Sequence, residues 1–355
     1  MRRWRFIKYL VAWILPVFAY FSLSGHGWVT FSPLIFAFVF IPLLDQCVGL
    51  NERNLSDVER AVAEHSRGYD IVLQLTVLIQ VACTVYFLRV MADATLTHME
   101  ITGRILCMGL MNGVFGINVA HELGHRTDYY HRFLAKILLS TTLFLHFYVE
   151  HNKGHHRNVS TPEDPATARF NESIYAFFLR TIPNSYASAW HIIAKELQRK
   201  KIPFWSLRNE MILYTMVHVL TIAAIVAISG WLIAFYFVLA ALFGIVLLET
   251  VNYIEHYGLM RKKVSANRYE DVQAWHSWNS DFVIGRLVLF ELTRHSDHHW
   301  QPNKPYVLLD SVPDSFQMPA GYPAMMLLTF FPRAWFAVMN KRVNDASLNK
   351  NPVRV

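Results

Sequence analysis

The sequence has few cysteines and few charged residues. Its three cysteines, Cys47, Cys83 and Cys107, are scattered along 355 residues and form no C-x-x-C pair. This spacing excludes a disulfide framework and a built-in iron–sulfur module, because both need closely grouped thiols. Asp, Glu, Lys and Arg make up 17% of the residues, whereas 54% are hydrophobic. This balance is typical of a membrane protein.

Charge is entirely missing from four stretches of the chain, residues 9–44, 71–88, 105–120 and 211–248. A membrane-spanning helix needs about 20 apolar residues, so the first and last stretches each fit a hairpin of two helices. The hairpin turns are expected near Gly25 and Gly230. The sequence therefore predicts an all-α integral membrane fold, a single domain over residues 1–355 with six spans at about 9–23, 28–44, 71–88, 101–120, 211–229 and 231–248.

A shorter uncharged segment, residues 137–149, is predicted to be a buried or interfacial helix because it is too short to cross a bilayer. Topology supports this interpretation. If the segment crossed, the histidine-rich motifs on either side of it would lie on opposite faces of the membrane. With six spans, residues 121–210 and 249–355 lie on the same side.

The distribution of basic residues predicts which side that is. The loops on the other face, 24–27, 89–104 and 229–230, hold just Arg89 and Arg104 of the 33 Lys and Arg residues. The positive-inside rule then places the termini and the long loops in the cytoplasm, and residues 1–23 are interpreted as an uncleaved anchor. The net charge of +7 is ordinary for such loops, or it forms a docking face for an acidic soluble partner. Nothing indicates nucleic-acid binding.

Three short motifs concentrate the histidines, and eight imidazoles occur in them. The motifs are HELGH with His121 and His125, HNKGHH with His151, His155 and His156, and RHSDHH with His295, His298 and His299. Spacings of three to five residues allow the imidazoles of one motif to project from roughly one helical face. Eight such ligands exceed the needs of one ion, which predicts a site for two metal ions.

Two other functions remain open at this point. HELGH contains H-E-x-x-H, the pattern of zinc proteases, in which Glu122 would activate water. That function leaves the other two motifs without a role. A histidine-rich metal transporter is the second alternative, but a transporter should carry its ligands along a path within the spans.

Longer strings around the histidines resemble the membrane alkane 1-monooxygenase family. They are NVAHELGHR, EHNKGHHRNVSTPEDPATAR, NYIEHYGLMR, HSWNSD and LTRHSDHH, in order between about residues 40 and 340. The resemblance implies a bacterial inner-membrane enzyme with two non-haem iron ions, which uses O2 to hydroxylate the terminal methyl group of medium-chain n-alkanes. Xylene-type methyl monooxygenases and membrane acyl desaturases or hydroxylases are the related alternatives.

The resemblance also implies the metal ligands and the partners. The iron ligands would be the eight clustered histidines and a ninth, His256 of NYIEHYG; which histidine serves which iron is left open. Electrons would come from a rubredoxin that an NADH-dependent rubredoxin reductase reduces.

Four acids lie beside the proposed ligands. Since ligating histidines usually donate their second ring N–H to a carboxylate, we expect Glu122, Glu150, Glu255 and Asp297 to orient the rings. The string Thr161–Asp164 is interpreted as a turn.

Overall fold

The computed structural model describes residues 4–266 and 268–350. Within them, six helices are long and apolar enough to cross a membrane. These first to sixth spans are Arg5–Ser24, Gly27–Val48, Gly68–Val90, His98–Gly124, Glu210–Ser229 and Trp231–His256. One of these helices covers each of the six predicted spans, and both predicted hairpin turns lie between the helices they were expected to join.

The turn between the fifth and sixth spans depends on one glycine. Gly230 has a φ of +88°, a conformation in which a side chain would be strained. Its backbone N–H donates to the carbonyl of Val226, so it ends the fifth span and begins the sixth without an intervening loop.

The loops predicted to lie on the far face meet at one end of the bundle. The Arg104 guanidinium donates to the carbonyls of Val90 and Gly25, each at 3.1 Å. The Glu100 carboxylate accepts from the backbone N–H of Gly27 at 2.9 Å and completes a capping box with Thr97. Two of the predicted far-face loops, 24–27 and 89–104, are thereby joined at the end opposite the histidines.

Two spans continue beyond their predicted ends. The fourth span runs on to Gly124 and carries His121, and the sixth runs on to His256. The sequence placed His256 just past the last span, but it lies in the last turn of the same helix. Polar residues at these ends are buried by the rest of the chain, so an apolar run underestimates the helix length.

The remaining helices lie outside the spans. Segment 137–149 is not a span, as predicted: Tyr129–Thr141 ends, the chain turns through Leu143 with a φ of 53°, and a new helix begins at His146. The π-helical turns Phe36–Phe40 and Asn112–Ile117 interrupt the second and fourth spans. The other helical elements are Asp57–Glu64, His146–Val149, the π-helical Glu150–His155, His156–Asn158, Ile174–Arg199, Ala274–His276, Val283–Val288, His295–Trp300, Tyr306–Leu308, Tyr322–Thr329 and Pro332–Lys350.

The expectation of a purely α-helical fold is wrong in one detail, since two small sheets are present. Strands β1 (Lys263–Ser265) and β2 (Arg268–Tyr269) are antiparallel, and β3 (Trp278–Asn279) pairs in parallel with β4 (Phe316–Gln317). The second sheet lies beside the histidines: the Asn279 side chain accepts from the backbone N–H of Ser296 at 2.8 Å. The pairing of β3 with β4 and this hydrogen bond hold the C-terminal segment against the helix His295–Trp300.

The charge distribution predicts the orientation of this bundle in the membrane. We expect Ala94→Cys, in the far-end loop, to react with a membrane-impermeant maleimide in intact spheroplasts. Gln198→Cys, exposed at the other end of the molecule, should react after the membrane is opened. Both variants should also carry Cys47→Ser, because Cys47 is an exposed thiol. The reverse labelling pattern would contradict the orientation.

Candidate metal centre

All nine predicted ligand histidines converge at one end of the bundle, and they form two groups. The ring nitrogens within each group lie within 4.8 Å of one another. The five-histidine group contains His121, His125, His151, His156 and His298; the four-histidine group contains His155, His256, His295 and His299. The groups are neighbours, since the rings of His156 and His299 have centroids 4.6 Å apart.

The groups do not follow the sequence motifs. Residues 150–155 form a π-helical turn, closed by a hydrogen bond from the N–H of His156 to the carbonyl of His151. This i→i+5 geometry brings His156 beside His151, with Nε2 atoms 3.0 Å apart, and directs His155 to the other group. The expectation that the imidazoles of each motif share one face is therefore wrong for this motif.

The third motif is divided in the same way. On the helix His295–Trp300, His295 and His299 are separated by four residues and join the four-histidine group, with Nε2 atoms 2.8 Å apart. His298 turns to the other group, where its Nε2 lies 2.9 Å from that of His121. One short helix thus supplies ligands to both groups.

The distances between nitrogens fit bound metal ions. His125, His151 and His156 form a triangle with Nε2 separations of 3.0 to 3.1 Å. Neighbouring ligands at about 2.1 Å from an ion lie about 3.0 Å apart in six-coordination and about 3.4 Å apart in a tetrahedron. Five donors also exceed the four of a tetrahedral zinc site. The donor set therefore fits six-coordinate transition metal ions.

Burial keeps these imidazoles in the form that binds metal. It lowers the pKa of His125 to about 3. Burial and neighbouring imidazoles hold the pKa values of His151, His156 and His298 well below the usual range. A neutral imidazole has a nitrogen lone pair available for a cation at physiological pH.

The carboxylate of Asp164 orients a ligand histidine, a role that the sequence did not predict for it. Asp164 lies in the turn that the sequence predicted, and its carboxylate accepts from Nδ1 of His155 at 3.0 Å. Burial opposes protonation of His155, but the charge and hydrogen bond of Asp164 outweigh it and raise the His155 pKa. The contact leaves Nε2 of His155 directed at the four-histidine group, buried and without a hydrogen-bond partner. A turn residue nine positions away gives no periodic signal in the sequence.

The four acids predicted to orient ligands have different surroundings. Glu122 accepts from Arg126 at 3.1 Å and from the N–H of Tyr306 at 3.3 Å. Asp297 accepts from Lys304 at 2.6 Å. None of these partners is a ligand histidine, and the ion pair with Arg126 engages the Glu122 carboxylate that a zinc protease would need as its general base.

The other two acids are closer to the histidine groups. Glu150 is buried, and burial together with neighbouring Asp164 raises its pKa to about 8. Glu255 lies 3.2 Å from Nε2 of His295.

Other buried or half-buried histidines lie outside both groups. His218 in the fifth span accepts from the backbone N–H of Leu145 at 3.3 Å. His146 packs edge-on against the Tyr186 ring. His276 accepts from the N–H of Gln273.

An apolar cavity lies between the spans, near the histidine end of the bundle. Its lining includes Asn118, one helical turn before His121, and Leu292, three residues before His295. The Asn118 amide donates to the carbonyl of Leu289 at 3.0 Å. The other lining residues are apolar or glycine: Leu15, Ala37, Phe38, Ile41, Leu110, Gly113, Val114, Leu247, Leu248, Val251, Gly285, Val288, Leu289, Pro323 and Met326.

Comparison with known proteins agrees with the motifs. The fatty acid desaturase family model matches residues 100–328. Alkane 1-monooxygenase 1 of Alcanivorax borkumensis is 37% identical over 333 residues, which cover 93% of this chain and 82% of that protein. Alkane 1-monooxygenase 1 of Pseudomonas aeruginosa is 38% identical over 326 residues, 90% of this chain and 85% of that protein.

A more distant relative represents the xylene-type alternative. The xylene/toluene monooxygenase hydroxylase component of Pseudomonas putida is 27% identical over 68% of this chain and 64% of its own length. Identity and coverage are both higher for the alkane 1-monooxygenases, and they confirm the resemblance seen in the motifs. The chain is a member of the alkane 1-monooxygenase family of enzymes.

Proposed function

We propose that this enzyme hydroxylates the terminal methyl group of n-alkanes. The reaction consumes the alkane, O2, two electrons and two protons, and it yields the 1-alkanol and water. The observation that carries the proposal is the apolar cavity, whose lining residues Asn118 and Leu292 each lie three residues before a ligand histidine of one group. An unreactive methyl group in that cavity would lie beside the metal centre.

Two iron ions fit the donor set best. Imidazole nitrogens suit iron, and a six-coordinate ion with five protein donors keeps one position for O2. The five-histidine group would hold one ion and the four-histidine group the other. Bound iron would supply the activation of O2, which no side chain of this site provides.

The residues of the cavity would select and orient the substrate. Its wall from Leu110 to Asn118 takes in nine residues of the fourth span, a rise of about 12 Å at 1.5 Å per residue. Apolar side chains along this length exclude water and favour a hydrocarbon by the hydrophobic effect. A chain that lies along this wall would present its terminal carbon toward the histidines, because His121 follows Asn118 on the same helix.

The electrons would come from a separate acidic protein, for which a rubredoxin with its NADH-dependent reductase is our proposal. A basic groove beside His156 supports this partner. Lys195 and Arg199 of Ile174–Arg199 face Lys153 and Arg157 of the ligand-bearing segment, and these four basic residues outnumber the two acids of the groove, Glu163 and Glu196. Glu196 pairs with Lys153. Such a surface would attract an acidic carrier by long-range electrostatics. Positive charge at this end also supports a cytoplasmic location at the inner membrane.

Product analysis tests the substrate. Cells that express this chain with a rubredoxin and its reductase should convert n-octane mainly to 1-octanol, because the cavity is apolar and ends at the metal centre. The measurement is gas chromatography of cells fed n-octane and p-xylene together, with a His298→Ala strain as the control. Methylbenzyl alcohol without octanol, or new double bonds in membrane lipids, would assign the enzyme to a related branch.

The division into two groups predicts what neighbouring substitutions do to bound iron. His298→Ala should lose the iron of the five-histidine group and His299→Ala that of the other group, so each purified protein should hold about one iron instead of two. Mössbauer spectra of the two variants should retain different signals. His191→Ala, exposed and outside both groups, is the control. Full iron content and turnover in both variants would disprove the ligand assignment.

Charge reversal tests the basic groove. Lys195→Glu combined with Arg199→Glu should raise KM for rubredoxin roughly ten-fold at low ionic strength, and the effect should shrink as salt screens the charges. Iron content should not change, since neither residue contacts a ligand histidine. Lys341→Glu, exposed on the C-terminal helix, is the matched control. An equal KM for all three proteins would place the docking surface elsewhere.

A further inference from the structure

Glu255 lies at the junction between the cavity and the metal centre. It immediately precedes His256 in the last turn of the sixth span and is buried. Val251, one helical turn earlier, lines the cavity, and so does Pro323, which follows the Glu255 partner Tyr322. The carboxylate is therefore held where substrate and metal would meet.

Both oxygens of Glu255 have defined contacts. Oε1 accepts from the hydroxyl of Tyr322 at 2.9 Å. Oε2 lies 3.2 Å from Nε2 of His295. A carboxylate that orients a ligand would contact the other ring nitrogen, Nδ1, as Asp164 does in His155. Oε2 instead contacts the nitrogen that is directed into the four-histidine group.

The surroundings of that nitrogen are those of a metal ligand. Nε2 of His295 lies 3.1 Å from Nε2 of His256 and 2.8 Å from Nε2 of His299, in addition to Oε2 of Glu255. A neutral imidazole N–H is a single donor and cannot satisfy three neighbours. A cation beside Nε2 of His295 would satisfy these neighbours, and the three separations from that nitrogen, 2.8 to 3.2 Å, match those of neighbouring ligands around one ion.

The charge balance around Glu255 also indicates a cation beside it. Glu122 is paired with Arg126, and Asp297 with Lys304. Among the ion pairs of the described residues, none joins Glu255 to a lysine or arginine. Burying an unpaired carboxylate is strongly unfavourable unless a cation compensates it. A metal ion in the four-histidine group would be that cation.

We infer that Glu255 is an oxygen ligand of the metal ion in the four-histidine group, bound through Oε2. This inference rests on the proposed two-metal function. With Glu255 as a ligand, each group has five protein donors. One group has five imidazoles, and the other has four imidazoles and one carboxylate. The two ions are then chemically different, because the anionic oxygen favours the oxidised form of its ion more than a neutral imidazole does.

The experiment compares Glu255→Gln, which keeps the side-chain size but removes the charge, with unaltered protein loaded with ⁵⁷Fe. We expect one Mössbauer signal to change or disappear, the same signal that His299→Ala removes, and the iron affinity of that group to fall about ten-fold or more. Glu255→Asp keeps an oxygen donor and should retain part of the affinity. Glu122→Gln is the matched control, because Glu122 also adjoins a ligand histidine but is paired with Arg126.

The outcomes separate this inference from the proposed function. Unchanged signals and full iron in Glu255→Gln would overturn the ligand role, even if the enzyme makes 1-octanol. A selective change with no alkanol from iron-loaded protein would support the ligand role and refute the proposed substrate. A protein that binds no metal would overturn both.

Discussion

The constraint on which this structure depends is the burial of nine imidazoles with their ring nitrogens facing each other. Nearest Nε2 atoms are 2.8 to 3.1 Å apart. Among the ligand rings that lie outside the spans, burial keeps all except His155 neutral or nearly so. A buried acceptor without a donor costs about 1–3 kcal/mol, so lone pairs packed this closely would oppose folding by themselves. Bound cations would convert that cost into binding free energy, and folding of this end of the bundle would then be linked to metal uptake.

The scaffold around the histidines is a buried ionic network. Arg294, directly before His295, donates to Asp281 at 3.1 Å and to the carbonyl of Leu309 at 2.6 Å. Glu291 accepts from Lys8 at 3.2 Å, which joins the network to the first span. A helix of six residues cannot stabilise itself, since helix nucleation is unfavourable at that length. These contacts fix its position, and with it the three ligands that it supplies.

The sequence predicts the fold well because bilayer thickness and charge exclusion act on each span separately. It predicts the metal-binding residues by type, but their division between two groups depends on one local feature, the π-helical turn at 150–155. The turn places His156 beside His151, and the residue spacing of an α-helix does not predict such a turn. Asp164 and Glu255 are not distinguished by spacing either: Asp164 contacts His155 across a turn, and the role of Glu255 depends on which ring nitrogen it contacts.

Under the proposed function, the bundle would give substrate and electrons separate routes to the same metal centre. The cavity is apolar and lined mainly by residues of the spans, so it would hold a hydrocarbon beside the centre. The basic groove is lined by the helix Ile174–Arg199 and by the ligand-bearing segment, and Lys195 and Arg199 in it are exposed. Because alkanes dissolve in the bilayer and the proposed acidic carrier does not, each route would exclude the other reactant, and both would act at the metal centre.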